Sequence, residues 1–418
     1  MLKIFLPLFI SLLSCAPAFA AQQIITFDAA YGPAARKRLV ESRGGRIVKE
    51  FPFINAVLAD LPEDQRAADI RRAPGVTGAE EDLEIYWLAS EEEPMSLETA
   101  QTLALNILEG EPPAVTPPVV STPVAPPQPP VYVSTANPEG KADHMSWGVA
   151  RMRGPQAWAV TKGKGARIAV LDTGVDCNHP DLAPNCAPGY NTFDPGSIPA
   201  DDKGHGTHVA GIIAGALNWK GVVGMAPEAA IIPVKVLNSS GSGKVSQIID
   251  GMGWAVSNRV DIINMSLGSS KYSEAQGKAV KAARDAGILV VCAAGNDGGP
   301  VNYPAAYEDS VAVTSLDFSN KLAASSSRGP EADFTAPGVK IFSAAPNGGY
   351  ALMSGTSQAT PHISGLAALA VSLGVRGPDA LRAALVKASV NLGLPPEQQG
   401  SGVPVAQRLV ENITSQTR

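Results

Sequence analysis

Four glycine-rich segments constrain the fold of this 418-residue chain more than any other feature of its sequence. They carry an acid, a base, an amide and a hydroxyl in the order Asp172, His205, Asn296 and Ser357. Taken alone, each residue has an ordinary explanation as a helix cap or a turn former. Taken together, they supply the orienting carboxylate, general base, oxyanion donor and nucleophile of an acyl-transfer site.

The second half of the chain alternates between short apolar runs and helical stretches. Strands buried on both faces are continuously apolar, so this alternation predicts an α/β fold with a doubly wound, mostly parallel sheet and helices on both faces. Ligands bind such sheets at the carboxyl ends of the strands, where Asp172 and Asn296 lie. The predicted strands are 166–171, 230–236, 262–265, 288–294 and 311–314, and the predicted helices are 207–216, 245–258, 273–286 and 359–373.

Two further regions precede the alternating pattern. Residues 21–88 read as β-α-β-β-α-β, with helices over 32–42 and 62–72, which predicts a small ferredoxin-like α+β domain. Residues 89–140 contain seven Glu, eleven Pro and no Lys or Arg, a composition typical of an extended spacer without a packed core.

The first 20 residues have the pattern of a signal peptide, with Lys3, an apolar run over 4–13 and a cleavage site before Ala21. We therefore expect a secreted protein, extracellular or periplasmic. The alternative is a lipid anchor at Cys15, because Leu12-Leu13-Ser14-Cys15 resembles a bacterial lipoprotein site. No later run is long enough to span a bilayer, and the net charge of −6 without a basic block argues against nucleic acid as a partner.

The remaining cysteines and a second histidine have structural interpretations. Cys177 and Cys186 lie nine residues apart, and in an oxidising compartment they would close a small loop; the alternative is two free thiols. Cys292 lies in an apolar run and is expected to be buried. His208 follows His205 by three residues, but the Glu of a zinc-protease motif is missing, so we interpret it as structural.

The order Asp, His, Ser excludes the α/β-hydrolase order and the chymotrypsin order. At this point the segments 170–176, 205–211 and 354–362 resemble those of the subtilisin-like serine proteases, peptidase family S8. The segments 178–182 and 302–305 are similar to the thermitase and proteinase K-like branch. The resemblance covers roughly residues 142 to 416.

The resemblance implies an exported serine endopeptidase acting on proteins or peptides. Ser357 would be the nucleophile, His205 the base, Asp172 its orienting partner and Asn296 the oxyanion donor. Two strand edges and a pocket would bind substrate, with Asn302 at the pocket base where relatives often have Gly. These residues are Gly241, Ser242 and Gly243; Ser266, Leu267 and Gly268; and Ala293, Ala294, Gly295 and Asn302.

The family also implies a structural calcium ion, for which Asp181 and Asn218 are the candidate ligands. The front domain resembles the I9-like inhibitory propeptide of the same family, an intramolecular inhibitor. Its tail would lie in the active site and be cut between Leu88 and Ala89. The predicted organisation is a signal peptide at 1–20, a propeptide at 21–88, a linker at 89–140 and a catalytic domain at 141–418, in a monomer. The alternatives are an inactive binding homologue and an esterase on the same scaffold.

Overall fold

The computed structural model describes residues 19–65, 67–87, 92–95 and 143–416, and it divides into two compact units between Asp82 and Leu83. Cys15, Leu88 and Ala89 lie outside the described residues, as does most of the predicted signal peptide and linker. Among the helices described, none combines the length and the apolar character that crossing a bilayer requires.

The first unit is a four-stranded antiparallel sheet with two helices. Its strands follow the order β2-β3-β1-β4, which is the predicted ferredoxin-like arrangement. Val40, Val57 and Ile70 pack into its core. The elements are β1 (Phe19–Phe27), α1 (Pro33–Ser42), β2 (Arg46–Phe51), a 3-10 turn (Pro52–Ile54), β3 (Ala56–Pro62), α2 (Ala67–Ile70) and β4 (Val76–Glu81).

The second helix of this unit is shorter than the sequence predicts. The prediction of a helix over 62–72 is wrong at its start, because Leu61 and Pro62 continue β3 and pair with β1. Proline is common in the first turn of a helix, so Leu61-Pro62 resembles a helix start in the sequence. Only the pairing with β1 shows that these two residues end a strand.

The second unit contains the predicted α/β sheet. The strands are β5 (Glu84–Trp87), β6 (Glu92–Met95), β7 (His144–Met145), β8 (Arg167–Asp172), β9 (Tyr190–Asn191), β10 (Val222–Val223), β11 (Ala230–Lys235), β12 (Ser242–Lys244), β13 (Ile262–Met265), β14 (Leu267–Gly268), β15 (Leu289–Ala293), β16 (Val311–Leu316), β17 (Ala332–Pro337), β18 (Ile341–Ala345), β19 (Gly349–Met353), β20 (Ser389–Val390) and β21 (Val403–Pro404). The helices are α3 (Trp147–Arg151), α4 (Gly154–Trp158), α5 (His205–Ala214), α6 (Val245–Ser257), α7 (Glu274–Asp285), α8 (Thr356–Ser372), α9 (Pro378–Ala388), α10 (Pro396–Gln399) and α11 (Ala406–Gln416).

Seven of these strands form one parallel sheet in the order β17-β16-β15-β13-β8-β11-β9. Helices α5 and α8 pack against each other, as do α6 and α7, and both pairs flank the sheet. Ile168 and Ile262 of the sheet share one core with Ile213 and Leu366 of the helices. The fold prediction is confirmed.

Helix α5 begins at His205 and α8 begins at Thr356. The sequence predicts a helix start at His205 and a helix N-terminus at Ser357, so both helices include a candidate functional residue in their first turn, as predicted. The first turn has backbone N–H groups without intrahelical partners, and its dipole favours nearby negative charge.

Candidate active site

Asp172 and His205 form the first part of the site. Asp172 ends β8 and His205 begins α5, and both side chains are fully buried. His205 Nδ1 lies 2.8 Å from Asp172 Oδ1. The same oxygen accepts the backbone N–H of Thr173 at 2.7 Å. A carboxylate held in this way fixes the orientation of the imidazole ring.

Asp201 organises the start of α5, and sequence reasoning missed it. Its Oδ2 accepts both the N–H and the hydroxyl of Thr207, at 2.9 and 2.6 Å. Its Oδ1 accepts the Thr173 hydroxyl at 2.8 Å. Asp201 therefore ties the first turn of α5 to the turn after Asp172, and its charge lies at a helix N-terminus, where it is favourable. An acid four residues before His205 was the available signal.

Gly206 allows the helix to approach this turn. A Cβ atom on Gly206 would lie 2.0 Å from the carbonyl oxygen of Gly174 and 3.1 Å from the Cβ of Asp172. Any side chain here would displace the backbone next to Asp172. The glycine beside His205 is thus required by close packing.

Ser357 lies in the first turn of α8 and exchanges two hydrogen bonds with Ser266. Ser357 Oγ donates to the Ser266 carbonyl at 3.0 Å, and Ser266 Oγ donates to the Ser357 carbonyl at 2.9 Å. The second bond follows from Pro361, four residues on, which has no N–H to donate to the Ser357 carbonyl. Ser266 supplies the missing donor, and this hydrogen bond joins α8 to the end of β13.

Asn296 follows β15, and its amide orientation is fixed by Thr356. Asn296 Oδ1 accepts the N–H and the hydroxyl of Thr356, at 2.8 and 3.0 Å. The amide nitrogen then lies on the side of Gly355, where an added Cβ would approach it to 2.6 Å. Gly355 has a φ of +149°, which side chains rarely adopt. The structure thus aims the amide N–H groups towards the segment that carries Ser357.

Lys235 is a second residue that sequence reasoning missed. It ends β11 beside Asp172 and is 6% exposed. Its ammonium group donates to the carbonyls of Thr173 and Leu237 at 2.6 and 2.9 Å, and to Asp202 at 2.7 Å. A buried ammonium group is stable only when its N–H groups have hydrogen-bond acceptors, and here all three have one. The lysine lies inside the strand predicted over 230–236, so the sequence indicated no role for it beyond that strand.

The two predicted strand edges enclose β5. Strand β5 is antiparallel to both, with Gly243 opposite Ile85 on β12 and Leu267 opposite Trp87 on β14. Ile85 is completely buried, whereas Tyr86 is 52% exposed. Gly241 lies in the turn before β12 with a φ of +79°. The edges therefore hold an extended segment of this chain by main-chain pairing.

The predicted pocket residues are also close together. The N–H of Asn302 donates to the carbonyl of Ala294 at 2.8 Å, and a Cβ on Gly295 would lie 2.6 Å from Asn302 Nδ2. Asn302 is 6% exposed, and Ala293 is buried in β15. A hydrogen bond from Ser327 and a weaker one from Asn302 lower the pKa of Asp297, next to Asn296. The pocket base is thus polar.

Two further histidines of the second unit are buried and neutral. Burial lowers the pKa of His208 to about 3 and that of His362 to about 4. His208 Nε2 donates to the carbonyls of Ile341 and Ala351, both at 3.1 Å. His208 therefore joins α5 to β18 and β19, the structural role predicted for it.

The disulfide candidates lie beside a pair of buried carboxylates. Cys177 and Cys186 are bonded to each other, and Cys292 is buried in β15. Asp181 lies between the bonded cysteines, and its Oδ2 accepts the N–H of Val222 at 2.8 Å. Asp181 Oδ1 and Asp143 Oδ2 are buried without a hydrogen-bond partner among the described residues.

Asn218 hydrogen-bonds within its own loop and also to the loop that carries Asp181. Its amide nitrogen donates to the carbonyl of Pro180 at 3.0 Å, and its amide oxygen accepts the N–H of Lys220 at 3.0 Å. Burial, and more weakly the charge of Asp181, raises the pKa of Asp143, so the two carboxylates are neighbours. Sequence reasoning missed Asp143, which precedes the strand pattern of the second unit.

Comparison with known proteins gives one family. The sequence model of the subtilase family matches residues 163–402. The chain is 40% identical to the intracellular serine protease of Paenibacillus polymyxa over 63% of this chain and 86% of that protein. It is 36% identical to subtilisin E of Bacillus subtilis, covering 82% and 77% of the two chains. Thermitase of Thermoactinomyces vulgaris is 42% identical over 57% of this chain and 86% of its own.

Proposed function

The chain belongs to the subtilase family and is a serine endopeptidase, and we propose that Asp172, His205 and Ser357 form its catalytic triad. The observation that carries this proposal is the buried Asp172–His205 hydrogen bond of 2.8 Å at the carboxyl end of β8. The triad order in the sequence supports it as well.

In the proposed reaction, His205 Nε2 takes the proton of Ser357 Oγ as this oxygen attacks the peptide carbonyl. The hydroxyl leaves its bond to Ser266 and turns towards His205 for this step. His205 then gives the proton to the departing amine, and water repeats the sequence on the acyl-enzyme. Asp172 holds the ring and offsets the positive charge that His205 carries between the transfers.

We propose that Asn296 Nδ2 and the backbone N–H of Ser357 bind the oxyanion. The bonds from Thr356 hold the Asn296 oxygen, so the amide nitrogen is the donor that faces the reacting segment. Pre-oriented donors of this kind stabilise charge that develops only in the transition state.

The position of β5 between β12 and β14 supports the proposal that the chain is made as a zymogen. Strand β5 occupies both edges in the orientation that an extended peptide substrate would take. We propose that residues 21–88 are an inhibitory propeptide and that the enzyme cuts itself between Leu88 and Ala89. The buried Ile85 would be the fourth residue before the cut, so the enzyme should accept an apolar side chain there and a medium apolar residue directly before the cut.

We propose export and a monomeric enzyme. The signal-like pattern of residues 1–20 supports export, and so does the Cys177–Cys186 disulfide, because disulfides persist in oxidising compartments. Acylation at Cys15 would instead anchor the enzyme to a membrane.

A serine-directed phosphonate tests the function. We expect one adduct on Ser357, and the unlabelled enzyme should hydrolyse protein substrates. The intact mass of the labelled enzyme should correspond to a chain that begins near Ala89 and carries no lipid. Absence of the adduct would favour the inactive binding homologue. Hydrolysis of a small ester but of no peptide would favour the esterase.

We propose that Asp143 and Asp181 hold a calcium ion near Asn218. Among the described residues, no three His, Cys, Asp and Glu side chains cluster as a metal site. Calcium also accepts amide and carbonyl oxygens, however, so two carboxylates are sufficient. The two buried carboxylate oxygens without hydrogen-bond partners among the described residues, Asp143 Oδ2 and Asp181 Oδ1, fit such a cation. The ion would join the loop between Cys177 and Cys186, which is bonded to β10, to the residue before β7.

Removing calcium should lower the melting temperature by about 10 °C, because two buried like charges lose their counter-ion and a ligand at 1,000 times its Kd stabilises by about 4 kcal/mol. Differential scanning calorimetry with a chelator, followed by Ca²⁺ or Mg²⁺, measures this. Only Ca²⁺ should restore the enzyme. Asp143→Asn is the deciding variant: with a bound ion it lowers the melting temperature in Ca²⁺, whereas without one it relieves repulsion and raises it.

A further inference from the structure

Strand β6 lies on the edge of a small sheet next to the active site. The sheet has the order β18-β19-β6, and β6 is antiparallel to β19. Glu92 is opposite Met353 and Met95 is opposite Tyr350. β6 belongs to residues 89–140, for which the composition predicts an extended spacer. The roles proposed above for the chain do not explain why this part of the spacer pairs with β19.

Strands β5 and β6 pair with two segments that are each closely connected to Ser357. β5 pairs with β14, which directly follows Ser266, the hydrogen-bond partner of Ser357. β6 pairs with β19, which ends at Met353, four residues before Ser357. Five peptide units separate Trp87 from Glu92 and span at most about 18 Å. Two strands that lie close together in the sequence, β5 and β6, therefore pair with the two segments that are connected to Ser357.

β19 has only one other strand partner among the described residues, β18. When residues 92–95 leave, an edge strand is free beside the active site, and such an edge binds extended peptides through main-chain hydrogen bonds. Main-chain pairing depends little on the side chains, so this edge would increase the affinity of the peptidase for substrates of many sequences. The pairing also favours long, unfolded polypeptides over short peptides.

We propose that the edge of β19 is an extended docking strand for the fourth to seventh residues after the scissile bond of a polypeptide substrate. The register rests on the proposed cut between Leu88 and Ala89, which makes Glu92–Met95 those four residues. The ligand is an extended polypeptide that continues at least seven residues beyond the bond to be cut.

Three synthetic peptides test the docking strand on the processed enzyme. The first covers residues 84–91, the second covers 84–95, and the third replaces residues 92–95 of the second by Gly-Ser-Gly-Ser. We expect kcat/KM for the second and the third to exceed that of the first by roughly tenfold, because the replacement keeps the main-chain groups and a few net hydrogen bonds give such a factor. Glu92→Gln and Glu93→Gln in the second peptide should leave the rate unchanged.

N-methylation of the second peptide separates strand pairing from other contacts. Successive N–H groups of a strand point to opposite sides. Methylation at 93 and at 95 should therefore act alike, and methylation at 92 should act oppositely; one class loses the tenfold gain and the other keeps it. Equal loss at all three positions overturns the docking strand.

Cleavage of all three peptides at equal rates between Leu88 and Ala89 also overturns the docking strand, but leaves the proposed processing site standing. If the enzyme cuts none of them there while it hydrolyses casein, the processing site and the register are both wrong. If it hydrolyses neither peptides nor casein, the catalytic proposal itself fails.

Discussion

Ser357→Ala should leave the full-length chain uncut and lower peptidase activity about a millionfold. The methyl group cannot attack a carbonyl, and in a subtilisin the loss of the serine lowers kcat by about 2 × 10⁶. The fold should survive, because the hydroxyl that is lost donates a single hydrogen bond, to Ser266. Gel analysis of the expressed precursor and a fluorogenic peptide assay measure the two effects.

Ser372→Ala is the matched control for this variant. Ser372 ends the same helix, and its hydroxyl donates to the Leu369 carbonyl at the helix end away from the site. We expect normal processing and activity within a few-fold of the parent. A trace of active enzyme should cut the Ser357→Ala precursor between Leu88 and Ala89 and leave the rest of the chain intact, whereas an unfolded variant would be degraded. Normal self-processing of the Ser357→Ala chain would contradict the assignment.

Motif order and apolar periodicity predicted the central sheet because both signals are local in the sequence. The strand that ends at Asp172 and the strand that precedes Asn296 are continuous apolar runs, as strands buried on both faces must be. The resemblance then implied a role for each of the four site residues before any distance was known. The helix starts at His205 and near Ser357 followed from the glycines beside both residues and from the helical stretches that come after them.

The supporting residues could not be predicted, because their roles depend on contacts across the fold. Asp201 and Lys235 are ordinary charged residues until the turn after Asp172 lies against both of them. Asp143 belongs to no motif, and only its burial beside Asp181 marks it as a ligand candidate. Pro361 reads as a helix breaker in the sequence. In the structure it lies inside α8 and leaves one carbonyl for Ser266.

Asp172→Asn should lower kcat about ten-thousandfold and leave KM almost unchanged. The loss measured for this substitution in a serine protease of another fold is about 10⁴. Asp172 Oδ1 accepts the N–H of Thr173 and pairs with His205 Nδ1. An amide group at this position can donate to Nδ1, which leaves Nε2 protonated and unable to take the serine proton. His205 is fully buried, and without the carboxylate its positive charge in the transition state is uncompensated. Steady-state kinetics with the peptide of residues 84–95 measure both constants.

A double variant tests whether Asp172 acts through His205 and Ser357 rather than by supporting the fold. In the Ser357→Ala background no proton reaches His205, so Asp172→Asn should cost almost nothing further, as triad residues act as a unit. Losses that multiply in the double variant would indicate a structural role. Asp261→Asn makes the same charge change at the opposite end of the sheet, where the carboxylate accepts the N–H of Arg167. It should leave kcat within a few-fold in both backgrounds, because the imidazolium requires a negative charge only where Asp172 lies.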